Sequence, residues 1–223
     1  MELISITLAR LVAFLEVQAI DPFGKTSTLD ALSNIGSRYS FAKIPQSHTE
    51  LDFQKGVELE VGKAGNINID RIAIYANGVL IDTRSSTEDC EKILDDLLGF
   101  AGEAFGAKIE PSRRNFISQI VFRSDLRLTL LNPVLAPMAE RLSAFVSGEL
   151  KQSVEYEPTG VLIGPDLSQI KLAPVQFTIE RRTEIPFFAN TYFSNAPLRT
   201  AGHLELIKQL EDALETRSTP RGR

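Results

Sequence analysis

Between Ile67 and Arg84 two apolar-rich runs flank the dipeptide Asn77-Gly78, the pair best suited to the positive φ angles of a two-residue hairpin turn. No other local feature constrains the fold as strongly, because it commits the chain to an antiparallel strand pair. A loop of Asn77 and Gly78 pairs Ala76 with Val79, Ile74 with Ile81 and Ile72 with Thr83. Ile72, Ile74, Val79 and Ile81 then share a core face, and Arg71 lies opposite Arg84 on the other. Ile67 and Ile69 have the opposite parity to Ile72 and Ile74, which predicts a β-bulge near Asp70 or Arg71.

The remaining elements follow from period and punctuation. Leu11 to Ile20 is rich enough in apolar and β-branched residues for a buried strand, although a helix from Leu8 also fits, and Asp21-Pro22-Phe23-Gly24 ends it. Ser27 or Thr28 caps a helix running to about Arg38. Tyr39 to Ile44 reads as a short extended piece stopped by Pro45, and Gln46 to Gly56 as a loop. After the hairpin, Cys90, Ile93, Leu94, Leu97, Leu98, Ala101 and Phe105 recur at helical spacing behind a Ser85–Glu88 capping box. Asn115 to Arg123 is apolar on both faces and predicts a central strand. Asn132-Pro133 or Ala136-Pro137 opens a helix carrying Leu135, Met138, Leu142, Phe145 and Val146. Val175, Phe177 and Ile179 alternate with polar residues as a half-covered strand, and Thr200 caps a last helix bearing Leu204, Ile207, Leu210 and Leu214. This order predicts an α+β fold: a mixed, largely antiparallel sheet, the Asn77-Gly78 hairpin central, and about four helices packed mainly on one face. One compact domain over residues 1–216 is expected, with a two-lobed division near Pro111 as the alternative. Residues 217–223 read as a disordered basic tail.

Composition narrows the function classes. The 223 residues carry a formal charge of −5, so neither nucleic acid nor anionic lipid is attracted by the chain as a whole. The single cysteine, Cys90, excludes an intramolecular disulfide framework and a multi-cysteine zinc site, and suits the reducing cytoplasm. Arg10, Glu16 and Gln18 interrupt the apolar N-terminal stretch, and Glu2 stands where a signal peptide is positive. No secretion signal or membrane span is expected.

One motif points to phosphate chemistry. Ala19 to Thr26 has the form AxxxxGKT and resembles the phosphate-binding loop of P-loop nucleotide hydrolases. That resemblance implies that Gly24 and Lys25 hold a nucleotide phosphate, that Thr26 reaches a magnesium ion, and that Asp82 ends a metal-coordinating strand. Asp21 would place a negative charge in the anion cradle, Pro22 removes a donor N–H, and Asp82 sits on an antiparallel hairpin where that family uses a parallel strand. A nucleotide-binding enzyme is therefore the alternative function.

Other groupings favour binding over catalysis. His48 in a polar loop and His203 in a first helical turn suit surface or capping roles, Cys90 belongs to a core stripe, and no cofactor, metal or catalytic group is assigned. Facing Arg71 and Arg84 are candidates for an external anion or a partner's carboxylate, unless Asp70, Asp82 or a glutamate answers them within the fold. Arg181 and Arg182, with Arg113 and Arg114, supply further basic residues; converging, they would make the chain a nucleic-acid accessory protein, a second alternative. The connection from Thr183 to Arg199 holds Phe187, Phe188, Tyr192 and Phe193 with no strand or helix period; either these rings lid the core, or they form an exposed interface with a protein partner or a second copy. The leading expectation is a non-catalytic protein-binding or assembly module of the cytoplasm.

Overall fold

The apolar runs of the sequence become eight strands and four helices in a computed structural model that describes residues 1–19, 26–124, 127, 131, 133–169 and 174–218. In chain order they are β1 (Glu2–Ala19), α1 (Thr28–Arg38), β2 (Val57–Ala64), β3 (Ile67–Tyr75), β4 (Gly78–Thr83), α2 (Thr87–Phe105), β5 (Lys108–Arg123), α3 (Leu135–Leu150), β6 (Gly160–Ile163), β7 (Phe177–Arg181), β8 (Thr191–Ala196) and α4 (Thr200–Ser218). The fold is α+β with antiparallel strands, as expected. Two compact units divide within β1 and β5: an N-terminal unit of Ile6–Gln119 with Pro197–Thr200, and a C-terminal unit of Met1–Ser5, Ile120–Ala196 and Ala201–Arg223.

In the N-terminal unit the strand order is β2-β3-β4-β1-β5, so both hairpin strands are interior. Their register differs from the sequence expectation. Tyr75 pairs with Gly78, Ile74 with Val79, Ile72 with Ile81 and Arg71 with Asp82, with the expected bulge between Ile69 and Arg71. The loop is thus Ala76-Asn77, and neither Asn77 nor Gly78 has a positive φ. Tertiary bonds set this register: Ala76 N–H donates to the Phe53 carbonyl and Leu15 N–H to the Asn77 carbonyl, each at 3.0 Å. Gly78 serves close approach instead, because a Cβ there would lie 2.6 Å from the Ala13 carbonyl oxygen on β1. The shift preserves side-chain parity, so the predicted core face survives.

That face consists of two cross-strand rows, Leu59–Ile72–Ile81–Leu11 and Val57–Ile74–Val79–Ala13. Leu32 and Ile35 of α1 and Ile93, Leu94 and Leu97 of α2 pack on it. The cap of α1 is Ser27, whose hydroxyl accepts from Asp30 N–H at 3.1 Å. That of α2 is Ser86 and not Ser85; its hydroxyl accepts from Asp89 N–H at 3.1 Å. Gly106 closes α2 in the left-handed conformation, φ 66°.

Cys90 is fully buried in this core, its thiol donating to the Ala9 carbonyl at 3.3 Å. Burial pushes the thiol pKa up to about 12, so almost no thiolate exists at neutral pH. The folded chain should leave a disulfide reagent such as Ellman's reagent unconsumed and release one thiol equivalent on denaturation. Rapid stoichiometric labelling of the native protein would contradict this placement.

In the C-terminal unit the order is β5-β8-β7-β6. The stretch Thr183 to Arg199 is not the aperiodic connection its sequence suggests: it forms a 3-10 turn, Phe187–Ala189, and strand β8, paired to β7 through Ile179–Ser194 and Arg181–Tyr192. Tyr192 is fully buried, its ring 5.5 Å from that of Phe122. His203 is also buried, not superficial, with Nε2 2.8 Å from the Ser194 hydroxyl. That hydroxyl donates to the Thr178 carbonyl at 2.6 Å, so the imidazole nitrogen is the donor to Ser194 and the serine proton is already engaged. This pairing fixes β8 to α4 and does not activate a nucleophile. The helix α4 extends to Ser218 and buries Ile207 and Leu214. Residues 219–223 of the expected tail lie outside the described residues.

Candidate functional site

Helix α3 departs from the usual polarity of a surface helix. Its half-buried positions are Ala136, Ala139, Ser143, Val146 and Ser147, and none of its residues is fully buried. Two serines one turn apart hold the returning chain against that small-residue face. The Ser143 hydroxyl accepts from Tyr156 N–H and donates to the Ala139 carbonyl, both at 2.8 Å. The Ser147 hydroxyl accepts from Val154 N–H at 2.9 Å and donates to the Val154 carbonyl at 3.2 Å. The large apolar residues lie beside that face and open to solvent: Leu135, Met138, Leu142 and Phe145 are 38%, 63%, 45% and 71% exposed. They recur at intervals of three, four and three residues, the seam spacing of a helix that packs along another helix. The stripe is legible in the sequence as a helix face, but a core assignment is the default there because apolar periodicity does not say what covers it.

Strand β6 is an edge of its unit's sheet. Its consecutive residues Leu162 and Ile163 are 64% and 60% exposed. Neighbouring residues of a strand point to opposite faces, so neither sheet face is covered at that end.

The aromatic candidates separate. Tyr192 is core, Phe187 and Phe193 are half-buried, and Phe188 alone of the four projects outward, 79% exposed. Phe187 lies under the Arg181 guanidinium, 4.9 Å from its ring centre. Arg181 is itself buried, donating to Glu157 and to the Phe187 carbonyl at 2.7 Å each. Arg182 is exposed.

Arg71 and Arg84 do not face one another. Arg71 lies across from Asp82 and donates to it at 3.0 Å and to Glu58 at 2.7 Å, while Arg84 donates to Asp70 at 3.0 Å. The register shift is the physical reason, since it sets each guanidinium beside carboxylates of its own sheet. On the face opposite the core a charged row crosses four strands, Glu60–Arg71–Asp82–Arg10. Arg10 grips Asp82 with two bonds, 2.6 and 2.9 Å. Arg114 is likewise paired, with Glu91 and Asp95 at 3.0 and 2.9 Å, and Arg113 donates to the Asn115 side chain at 3.1 Å.

Of the phosphate-loop stretch, Gly24 and Lys25 lie outside the described residues, and Thr26 sits in a bend just before the α1 cap. Asp82, the acidic partner that the resemblance implies, stands on an antiparallel strand between two arginines. His48 is exposed in a 3-10 turn. Among the described residues no helix is long and apolar enough to cross a membrane.

No protein-family model matches the chain, and no curated protein matches it.

Proposed function

We propose that this chain is a non-catalytic protein-binding or assembly module of the reducing cytoplasm, docking an amphipathic helix on the outward stripe of α3, with a second copy of the chain as the occupant. The observation that carries it is the outward stripe of α3, with Leu135, Met138, Leu142 and Phe145 turned to solvent while only Ala136, Ala139, Ser143, Val146 and Ser147 are half-buried. Contiguous exposed apolar side chains favour association, because pairing removes their surface from water. Seam spacing suits a helical partner, and the same stripe on another copy supplies one with matching chemistry and two-fold closure. A single, buried cysteine, Cys90, fits a reducing compartment.

Sedimentation velocity across a wide range of protein concentration tests the proposal. The wild-type chain should form a dimer. Met138→Glu combined with Phe145→Glu should weaken it by about a hundredfold or more, since each replaces one of the most exposed apolar anchors by a charge. Both positions are exposed, so the fold should be retained. A chain that stays monomeric at every concentration, or a dimer indifferent to the double substitution, overturns the proposal. A dimer lost instead with Phe188→Ala would move the interface to the aromatic turn.

A further inference from the structure

We infer that the N-terminal unit holds a binding site for an uncharged, largely apolar small molecule in the cavity between α1, α2 and the hairpin. The cavity measures about 420 Å³, within the ~300–1,000 Å³ typical of small-molecule sites. Leu32 and Ile35 of α1, Ile74 of β3, and Leu98, Ala101 and Phe105 of α2 supply its walls. It exists because α2 continues its apolar stripe beyond the point where the core closes. Leu94 and Leu97 are buried, whereas Leu98, Ala101 and Phe105 remain half-exposed towards the open space.

The lining dictates the ligand class. Among the described residues around the cavity there is no Asp, Glu, Lys, Arg or His. A charged ligand would lose its hydration and gain no counter-charge from these residues, whereas apolar surface gains wherever it leaves water. An apolar cavity of ~150 Å³ suffices for benzene, so this one takes a molecule with two or three rings, or a hydrocarbon chain of similar bulk. Among the described lining residues the polar side chains are those of Thr26, Ser27 and Thr28, where α1 begins, and Tyr75. The Ser27 hydroxyl is already engaged, donating to the Asp30 carboxylate at 2.6 Å. The residues described around the cavity leave room for a neutral hydroxyl or carbonyl on the ligand. The site is independent of α3, so it stands or falls apart from the docking surface.

The probe is N-phenyl-1-naphthylamine, an uncharged aromatic amine whose fluorescence rises in apolar surroundings, compared with its sulfonated counterpart 8-anilinonaphthalene-1-sulfonate. Both are titrated into the full chain carrying Met138→Glu and Phe145→Glu, which removes the exposed stripe as a competing surface. The neutral probe should bind saturably at one equivalent, and the sulfonate at least tenfold more weakly. Ala31→Phe or Ala101→Phe, which fill the cavity from either helix, should each weaken the neutral probe at least tenfold while the far-ultraviolet circular dichroism is unchanged. If a filled variant does not fold, nuclear Overhauser contacts from the probe to the Leu32, Ile74 and Leu98 methyls of the unfilled chain decide the matter. No saturable binding overturns the inference. So do equal affinity for the sulfonate, binding that survives both fillings, and probe contacts elsewhere.

Discussion

Substituting Asp82 by alanine should lower the stability of the N-terminal unit by about 3 kcal/mol, because it strips a nearly buried carboxylate from between two guanidinium groups. The Asp82 side chain is 7% exposed, and those of Arg10 and Arg71 are 26% and 31% exposed. The two arginines are partly solvated, so the expected loss lies at the lower end of the ~3–5 kcal/mol that follows breaking a fully buried pair. Arg10 loses both its bonds, and Arg71 keeps only Glu58. The like charges of Arg10 and Arg71 then face each other across β4 with nothing between them. Thermal melting should show a fall of about 6–12 °C. Replacing Arg10 and Arg71 by methionine in the Asp82→Ala background should recover part of it, because the uncompensated charges go with their partner. An Asp82→Ala chain within about 0.5 kcal/mol of wild type, the range of ordinary surface changes, would mean that water already answers these arginines.

The same row shows what local pattern can and cannot specify. Period-two alternation in Ile72–Ile81 determined which side chains share the core face, and that was legible. Register depends on how the loop meets other strands, so Arg71 was legible as a charged position but its partner was not. Helices α1 and α2 are legible because an N-terminal cap signal stands at the start of each, joined in α2 by a clear apolar period. The misplacement of the α2 cap by one residue arose because consecutive serines, Ser85 and Ser86, offer equivalent hydroxyls. Strand β8 escaped detection for a different reason. Its buried positions include Thr191 and Ser194, whose hydroxyls bond the Ala189 and Thr178 carbonyls and His203. An inward polar residue satisfied by tertiary contacts breaks the apolar alternation by which a strand is recognised. The burial of His203 is hidden in the same way, since its hydrogen-bond partner Ser194 lies nine residues earlier on β8. For α3 the stripe was visible, but its exposure rests on Ser143 and Ser147 receiving the backbone at Tyr156 and Val154. Hydrogen bonds of that kind leave no periodic mark.

Gly78 provides the sharpest separation between local and tertiary causes. Valine there should destabilise the chain by about 3 kcal/mol or more, and alanine by nearly as much. The first added carbon would already stand 2.6 Å from the Ala13 carbonyl oxygen, with Ala13 C and Phe14 Cα at 3.6 and 3.7 Å. All three are backbone atoms, so no rotamer change relieves the contact, and β1 must part from β4 across the Phe14–Gly78 pair. Strand propensity argues the opposite, since valine is favoured and glycine disfavoured within strands. Asparagine discriminates between the two roles a glycine can have. Were Gly78 needed for a left-handed turn, Asn would be tolerated nearly as well as Gly while Ala and Val were not. With close approach as the cause, Asn must cost as much as Ala, because both carry the offending Cβ. Urea denaturation of the three variants reads the difference directly: a Gly78→Asn chain near wild-type stability would return the glycine to the turn, and equal losses for Asn and Ala hold it at the β1–β4 contact.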